Sequence, residues 1–334
     1  MLVPVGPQLP VPLAPQENPM SIHSTRRHLL GALGVGGIAL GAAACGTSDP
    51  FAEEDGEGTG ASDGGRAAPG SVAIGSQAYY SNEIIAELFA QSIEAVGLTV
   101  DRQYQIGQRE VYIPELEAGK LDVLPEYLGN LLQHYDSEAG TATPEEVHHA
   151  LAEALPEELR VLSFAEAADQ DSYTTTSAFA ETNSLTAIGD LADVEEDLKI
   201  AANSEFEVRP YGPEGVKEVY GVDVTVVPVE DSGGPLTVQA LADGEVQLAD
   251  LYSADPAIVA NDFVVLEDPE SLILPQNVVP VVSSSLDEEA ETAITTVIEA
   301  LSMDDLIELN RQSVEEKSSS ADIAKAWLGE KGLV

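Results

Sequence analysis

Cysteine is nearly absent. Cys45 is the only one in 334 residues, which excludes an intrachain disulfide framework and a cysteine-built zinc site. Basic residues are scarce: 14 Lys+Arg stand against 59 Asp+Glu, a formal charge of −45. A chain this acidic offers no groove for nucleic acid. Long hydrophobic runs are missing too. The apolar, Gly-rich stretch from Leu29 to Ala44 is about 16 residues long, short of the ~20 that a membrane-spanning helix needs. Aromatics make up 5% of the chain, with a single Trp against ten Tyr, so a site built from rings is a site built from tyrosine. No GxSxG, HExxH, Walker loop or dinucleotide fingerprint opens a helix after a strand. With 59 acids, chance carboxylate pairs are plentiful and carry no catalytic weight. An enzyme is therefore not expected, and neither a metal nor a cofactor.

What remains is enough apolar material for a folded body. Hydrophobic residues make up 44% and the mean hydropathy is −0.01, and the length fits roughly two domains of ~150 residues. Arg26 and Arg27, then the short apolar stretch, then Ala42, Ala43 and Ala44 directly before Cys45 have the layout of an export signal ending at a small-residue cleavage site. The paired arginines resemble a twin-arginine signal, and AAAC resembles a lipobox, although Ala42 stands where Leu is commoner. Residues 1–44 are thus expected to be a leader, and Cys45 a lipidated anchor. Residues 45–70, rich in Gly, Ser and acids, are expected to be a solvated tether.

From Ser71 the chain alternates strand and helix. SVAIG is followed by Ile84, Ile85, Leu88, Phe89, Ile93 and Val96 at helical spacing; LDVLPEY reads as a further strand, and Thr143, Pro144 and Glu146 as a capping box with a first-turn proline. His148 and His149 are adjacent on that helix, about 100° apart, so they cannot share a metal and are expected on the surface. A second alternating block runs through LKIAA, VTVVPV and VQLADLY, and three helical stretches from Asp287 to Leu333 carry apolar faces expected to pack back on the earlier part. Such alternation implies mainly parallel sheets flanked by helices.

At LDVLPEYLGN, QALADGEVQLADLYSAD and VVLEDPESLILPQNVVPVV, in collinear order from about Ser71 to the C-terminus, the sequence resembles the osmoprotectant substrate-binding proteins of ABC importers. The resemblance implies a two-lobed, type II periplasmic-binding-protein-like α/β fold. Lobe I would take residues 71–172 and 277–334, lobe II residues 173–276, with the ligand in the cleft between them. It implies a quaternary ammonium ligand such as glycine betaine, carnitine or choline, ABC permease subunits as partners, and a place on the extracytoplasmic face of the membrane. The alternatives are a binder of another small polar solute, and a sensing or structural lipoprotein.

A quaternary ammonium has no N–H to donate, so aromatic faces must hold it. By the resemblance, Tyr127 in PEYLG, Tyr173 in DSYTT and Tyr252 in DLYSAD are cage rings, and Arg209 in EFEVRP grips a ligand carboxylate, which favours a betaine or carnitine. Gln77 in IGSQAYY touches the ligand's polar end, and Asn130 replaces the threonine of the family's PEYTGT pattern. Gln276 in LPQN stands where the family commonly has the cage tyrosine of PPYN. Tyr79, Tyr80 or Tyr211 is then the candidate for the missing wall, or the ligand is a more polar molecule.

Overall fold

The computed structural model describes residues 71–137, 139, 140 and 143–334. The leader, Cys45 and the tether lie outside the described residues.

Strand β1 (Ser71–Gly75) leads into α1 (Tyr80–Ala95), whose Ile84, Ile85, Leu88, Phe89 and Ile93 are all buried on one face, as their 3.6-residue spacing requires. Then come β2 (Thr99–Gln103), α2 (Arg109–Glu117), β3 (Val123–Tyr127), α3 (Leu128–Tyr135), α4 (Pro144–Ala154) and β4 (Leu159–Val161). Helix α4 starts where Thr143 and Glu146 form the expected capping box. On it, His149 is exposed, while His148 is half-buried against Phe164 and the Leu162 carbonyl, a correction to the expectation of two surface histidines.

The chain crosses over through residues 162–172 and builds β5 (Tyr173–Thr176), α5 (Ser177–Asn183), β6 (Leu198–Ala202), α6 (Pro213–Tyr220), β7 (Val224–Pro228), α7 (Pro235–Ala242), β8 (Leu248–Asp250), α8 (Ala257–Ala260) and β9 (Phe263–Val265). It returns through residues 266–277 to β10 (Val278–Ser283) and ends in α9 (Glu288–Ala300), α10 (Met303–Val314) and α11 (Ser320–Lys331). These last helices pack on α1 through Ile294, Val297, Leu309, Ile323 and Trp327. None of the described helices is long and apolar enough to cross a membrane.

The described strands form two five-stranded sheets, in the orders β2-β1-β3-β10-β4 and β7-β6-β8-β5-β9. The fold is the expected two-lobed α/β one, but the sheets are mixed rather than mainly parallel: β10 runs antiparallel to β3 and β4, and β5 antiparallel to β8 and β9. The reason is topological, because each of these strands follows a crossing and enters its sheet from the carboxyl ends of the parallel strands. Val278 therefore pairs with Tyr127, and Tyr173 with Asp250. Pro125 and Pro280 lie opposite one another in the β3–β10 ladder. The Pro280 carbonyl accepts from Leu162 N (3.1 Å), so Pro280 turns its polar edge away from β3 and its missing N–H costs that ladder nothing. The two crossings also bond to each other, Asp169 N donating to the Gln276 carbonyl at 3.2 Å. The carboxyl ends of both sheets and both crossings thus meet at one place, where open α/β sheets bind ligands.

Candidate functional site

The turn after β1 is set by Asn82, whose side chain accepts from Gln77 N (2.9 Å) and donates to the Pro125 carbonyl (3.0 Å), tying the start of α1 to β3. This places Tyr79 beside Tyr127 at the end of β3. The Tyr79 hydroxyl donates to the Tyr127 hydroxyl, and the rings lie 6.4 Å apart. From the second sheet, Tyr252 follows β8 and meets the Tyr79 ring edge-on at 5.3 Å. Tyr211, after the 3-10 turn Ser204–Val208, packs edge-on against Phe206 at 5.8 Å. Tyr79, Tyr127, Tyr211 and Tyr252 all line one cavity of about 500 Å³, open mouth included. Burial raises the hydroxyl pKa of all four, so the rings stay neutral.

Behind Tyr127 lies a buried ion pair. Arg109 Nε and Nη2 donate to the two oxygens of Glu126 at 2.7 and 2.8 Å. Glu126 also accepts from Tyr112 Oη (2.5 Å), Tyr127 N (2.9 Å) and, at 3.4 Å, Gln77 Nε2. Burial works to lower the Arg109 pKa, but Glu126 outweighs it and holds the guanidinium charged. The pair is neutral as a unit, and it fixes the backbone that carries Tyr127.

The first crossing adds carboxylates. Asp169 Oδ1 accepts from Ala254 N (3.1 Å); burial raises its pKa to about 7, with the Asp255 and Asp171 charges adding to the effect. Asp171 accepts from Asn130 Nδ2 at 2.8 Å. Asp250, at the end of β8, accepts from Ser172 N at 3.3 Å; burial first and the neighbouring Asp171 second push its pKa well up. At the mouth, Arg209 reaches from the second lobe to Glu110 on α2 at 3.1 Å. Among the described residues, no group of three or more His, Cys, Asp or Glu side chains is arranged to hold a metal ion.

Of the seven residues singled out from the sequence, Tyr127, Tyr252, Arg209, Gln77 and Asn130 line this cavity. Tyr173 does not. It is buried in the second lobe's core, its ring 5.9 Å from Phe206 and its hydroxyl donating to the Tyr211 carbonyl (2.7 Å), so it backs the wall that Tyr211 presents. Nor does Gln276, which is fully buried behind Asn130 and bonded to it twice. Tyr79 and Tyr211 supply rings to the cavity, whereas Tyr80 turns toward Asp255 in a separate crevice. Sequence reasoning passed over Arg109, Glu126, Asp169, Asp171 and Asp250. The one available signal was Glu126 directly before Tyr127 in PEY.

Residues 70–330 match the family model for the substrate binding domain of the ABC-type glycine betaine transport system. The chain belongs to that family. Over 276 residues it is 23% identical to the glycine betaine-binding protein YehZ of Escherichia coli K12, covering 78% of this chain and 90% of that protein. A solved structure described as a glycine betaine/carnitine/choline ABC transporter superposes with a TM-score of 0.65 at 23% identity, covering 78% of this chain and 99% of the other. Lactococcal OpuAC, closed on glycine betaine, gives 0.58 at 14% identity, covering 78% and 96%. At these identities the structural likeness establishes the two-lobed fold. Family membership makes the chain a substrate-binding protein of a glycine betaine-type ABC transporter.

Proposed function

We propose that the protein captures a small quaternary ammonium solute between its lobes, outside the cytoplasm, and delivers it to the permease of its importer while Cys45 holds it at the membrane by a lipid anchor. The observation that carries this reading is the convergence of Tyr79, Tyr127, Tyr211 and Tyr252 on one cavity at the carboxyl ends of the strands. Each ring contributes about 0.5–2 kcal/mol to holding a cation that cannot hydrogen-bond, so four reach useful affinity where one does not. Tyr127, Tyr252, Arg209, Gln77 and Asn130 are the proposed contacts among the residues first singled out, joined by Tyr79 and Tyr211. Tyr173 and Gln276 support the site from behind it.

The reading is tested by calorimetric titration of residues 70–334 with glycine betaine, proline betaine, carnitine, choline and a control amino acid, in parallel with a Tyr127→Ala variant. Saturable binding of a quaternary ammonium compound that is lost in the variant supports it; folded protein that binds none of them refutes it. Lipidation is tested separately by labelling cells with a fatty-acid analogue, with Cys45→Ser as the unlabelled control.

A further inference from the structure

Gln276 occupies an unusual place for a residue that lines nothing. The second crossing passes so close over the start of α3 that a Cβ on Gly129 would sit 2.5 Å from Leu274 Cβ and 2.9 Å from Gln276 Nε2. At this distance the crossing takes up the free N–H groups of the first helical turn. Leu128 N donates to the Asn277 carbonyl (3.1 Å), Gly129 N to the Pro275 carbonyl (2.9 Å) and Asn130 N to Gln276 Oε1 (2.9 Å). A helix start bordering a cleft is where an anionic ligand group finds backbone donors; here those donors are already engaged.

The other half of the Gln276 amide orients a side chain. Gln276 Nε2 donates to Asn130 Oδ1 (3.0 Å), which leaves Asn130 Nδ2 to donate outward, to Asp171 Oδ2 at 2.8 Å. Asp171 is thereby held next to Asp250, in the cavity that also contains Asp169. The bonds to these three acids come from neutral donors, namely Asn130 Nδ2, Ser172 N and Ala254 N. The two arginines at the cavity are engaged by other carboxylates, Arg109 by Glu126 and Arg209 by Glu110. Glu205 also lines the cavity, and its Oε2 is buried with no hydrogen-bond partner. Asn130 N and Asn130 Nδ2 are thus already engaged by Gln276 and Asp171, and Asp171 and Glu205 add acceptor oxygens to the cavity. A ligand carboxylate would find the Asn130 donors engaged and would set acceptor against acceptor at Glu205, whereas a ligand hydroxyl could donate to an acceptor such as Glu205.

Resting on the function proposed above, we propose that Gln276 is a positioning residue for specificity: by occupying Asn130 N and aiming Asn130 at Asp171, it makes the cleft select a quaternary ammonium alcohol over a quaternary ammonium carboxylate. Choline is the simplest probe of the first class and glycine betaine of the second.

The experiment is calorimetric titration of the full-length protein with both probes, for the wild type, Asp171→Asn, Gln276→Met and the double variant. The expected result is a wild-type preference for choline of roughly tenfold or more, the size of one hydrogen bond to a buried acceptor. Asp171→Asn and Gln276→Met should each shift the choline-to-betaine Kd ratio toward betaine, and the double variant should shift it no further than Asp171→Asn alone. Asn130→Ala breaks the same chain at a partly exposed position and is read in the same way if Gln276→Met does not fold. A wild type that binds betaine as tightly as choline overturns the proposal, as do variants that weaken both probes equally, the signature of a structural role only. A folded wild type that binds neither probe but binds carnitine or proline betaine overturns this inference alone, and one that binds none of the four refutes the quaternary ammonium reading with it.

Discussion

Asp169 should make the protein less stable as pH rises through neutrality. Its carboxyl is buried in the first crossing, and its pKa lies at about 7 against an ordinary 3.8. The folded protein therefore keeps this proton up to about pH 7, while the unfolded chain releases it near pH 4. Between those values the folded state binds more protons, so stability falls with rising pH, and above pH 7 the full cost is present. A shift of about three pH units at 1.36 kcal/mol each amounts to about 4 kcal/mol. Asp169→Asn removes the titration while keeping an oxygen to accept from Ala254 N, a bond of 3.1 Å. Urea melts of both proteins at intervals from pH 4 to pH 8 read the difference directly. Asp250 and Asp255, also raised mainly by burial, slope the same way in both proteins, and the subtraction removes them. The variant should gain on the wild type by about 4 kcal/mol across this range, with most of the gain between pH 4 and 7. A difference that stays constant with pH would refute the reasoning, because it would mean that Asp169 ionises alike in the folded and unfolded chains.

Glu126→Gln leaves Arg109 buried without its counter-charge and should cost about 3–5 kcal/mol in a urea melt; a loss under 1 kcal/mol would mean that water reaches the guanidinium. Gly129→Ala puts a methyl group 2.5 Å from Leu274 Cβ, and overpacking of this kind costs about 1–3 kcal/mol, read as a lowered Tm with weaker ligand binding. From residue 45 onward the chain carries 12 basic against 58 acidic residues, a field screened beyond ~8–10 Å at physiological salt. The melting temperature should therefore rise from low to molar salt in matched buffer, and a flat or falling Tm would count against self-repulsion as a destabilising force.

Much of this was readable along the chain where the cause is local. The buried face of α1 follows from the spacing of Ile84, Leu88 and Phe89, and the start of α4 from Thr143 and Glu146. The strand directions of β5 and β10 were not readable, because VVPVV has the same apolar pattern whether it enters a sheet parallel or antiparallel. Within the cavity, Tyr127 and Tyr252 were findable because each lies in a short motif, Tyr127 at the end of β3 and Tyr252 two residues past the end of β8. Gln276 occupies a position that the resemblance marks as a ring. An amide there reaches its neighbour's backbone instead of the ligand, and only the close pass over Gly129 makes this visible. The acids Asp169, Asp171 and Asp250 were hidden by number: among 59 carboxylates, burial alone distinguishes them, and burial is a property of the fold.

Arg209 is where the two arguments about charge meet. A planar guanidinium at a cleft is suited to grip a carboxylate, which favours a betaine, yet here it is engaged across the lobes by Glu110, whose side chain is half exposed. An ion pair at such an exposed mouth contributes about 0–1 kcal/mol, so the restraint on Arg209 is weak but real. Glu110→Gln removes it without altering the interior of the cavity. Freed, Arg209 can turn to a ligand carboxylate, and glycine betaine should bind about twofold to fivefold tighter, the worth of the pair it no longer makes. Choline, with no carboxylate to offer, should bind as before. If both ligands respond equally, Glu110 acts on closure of the lobes and not on Arg209; if betaine does not respond at all, the guanidinium does not reach the ligand, and the preference of the cleft is set by its interior acids alone.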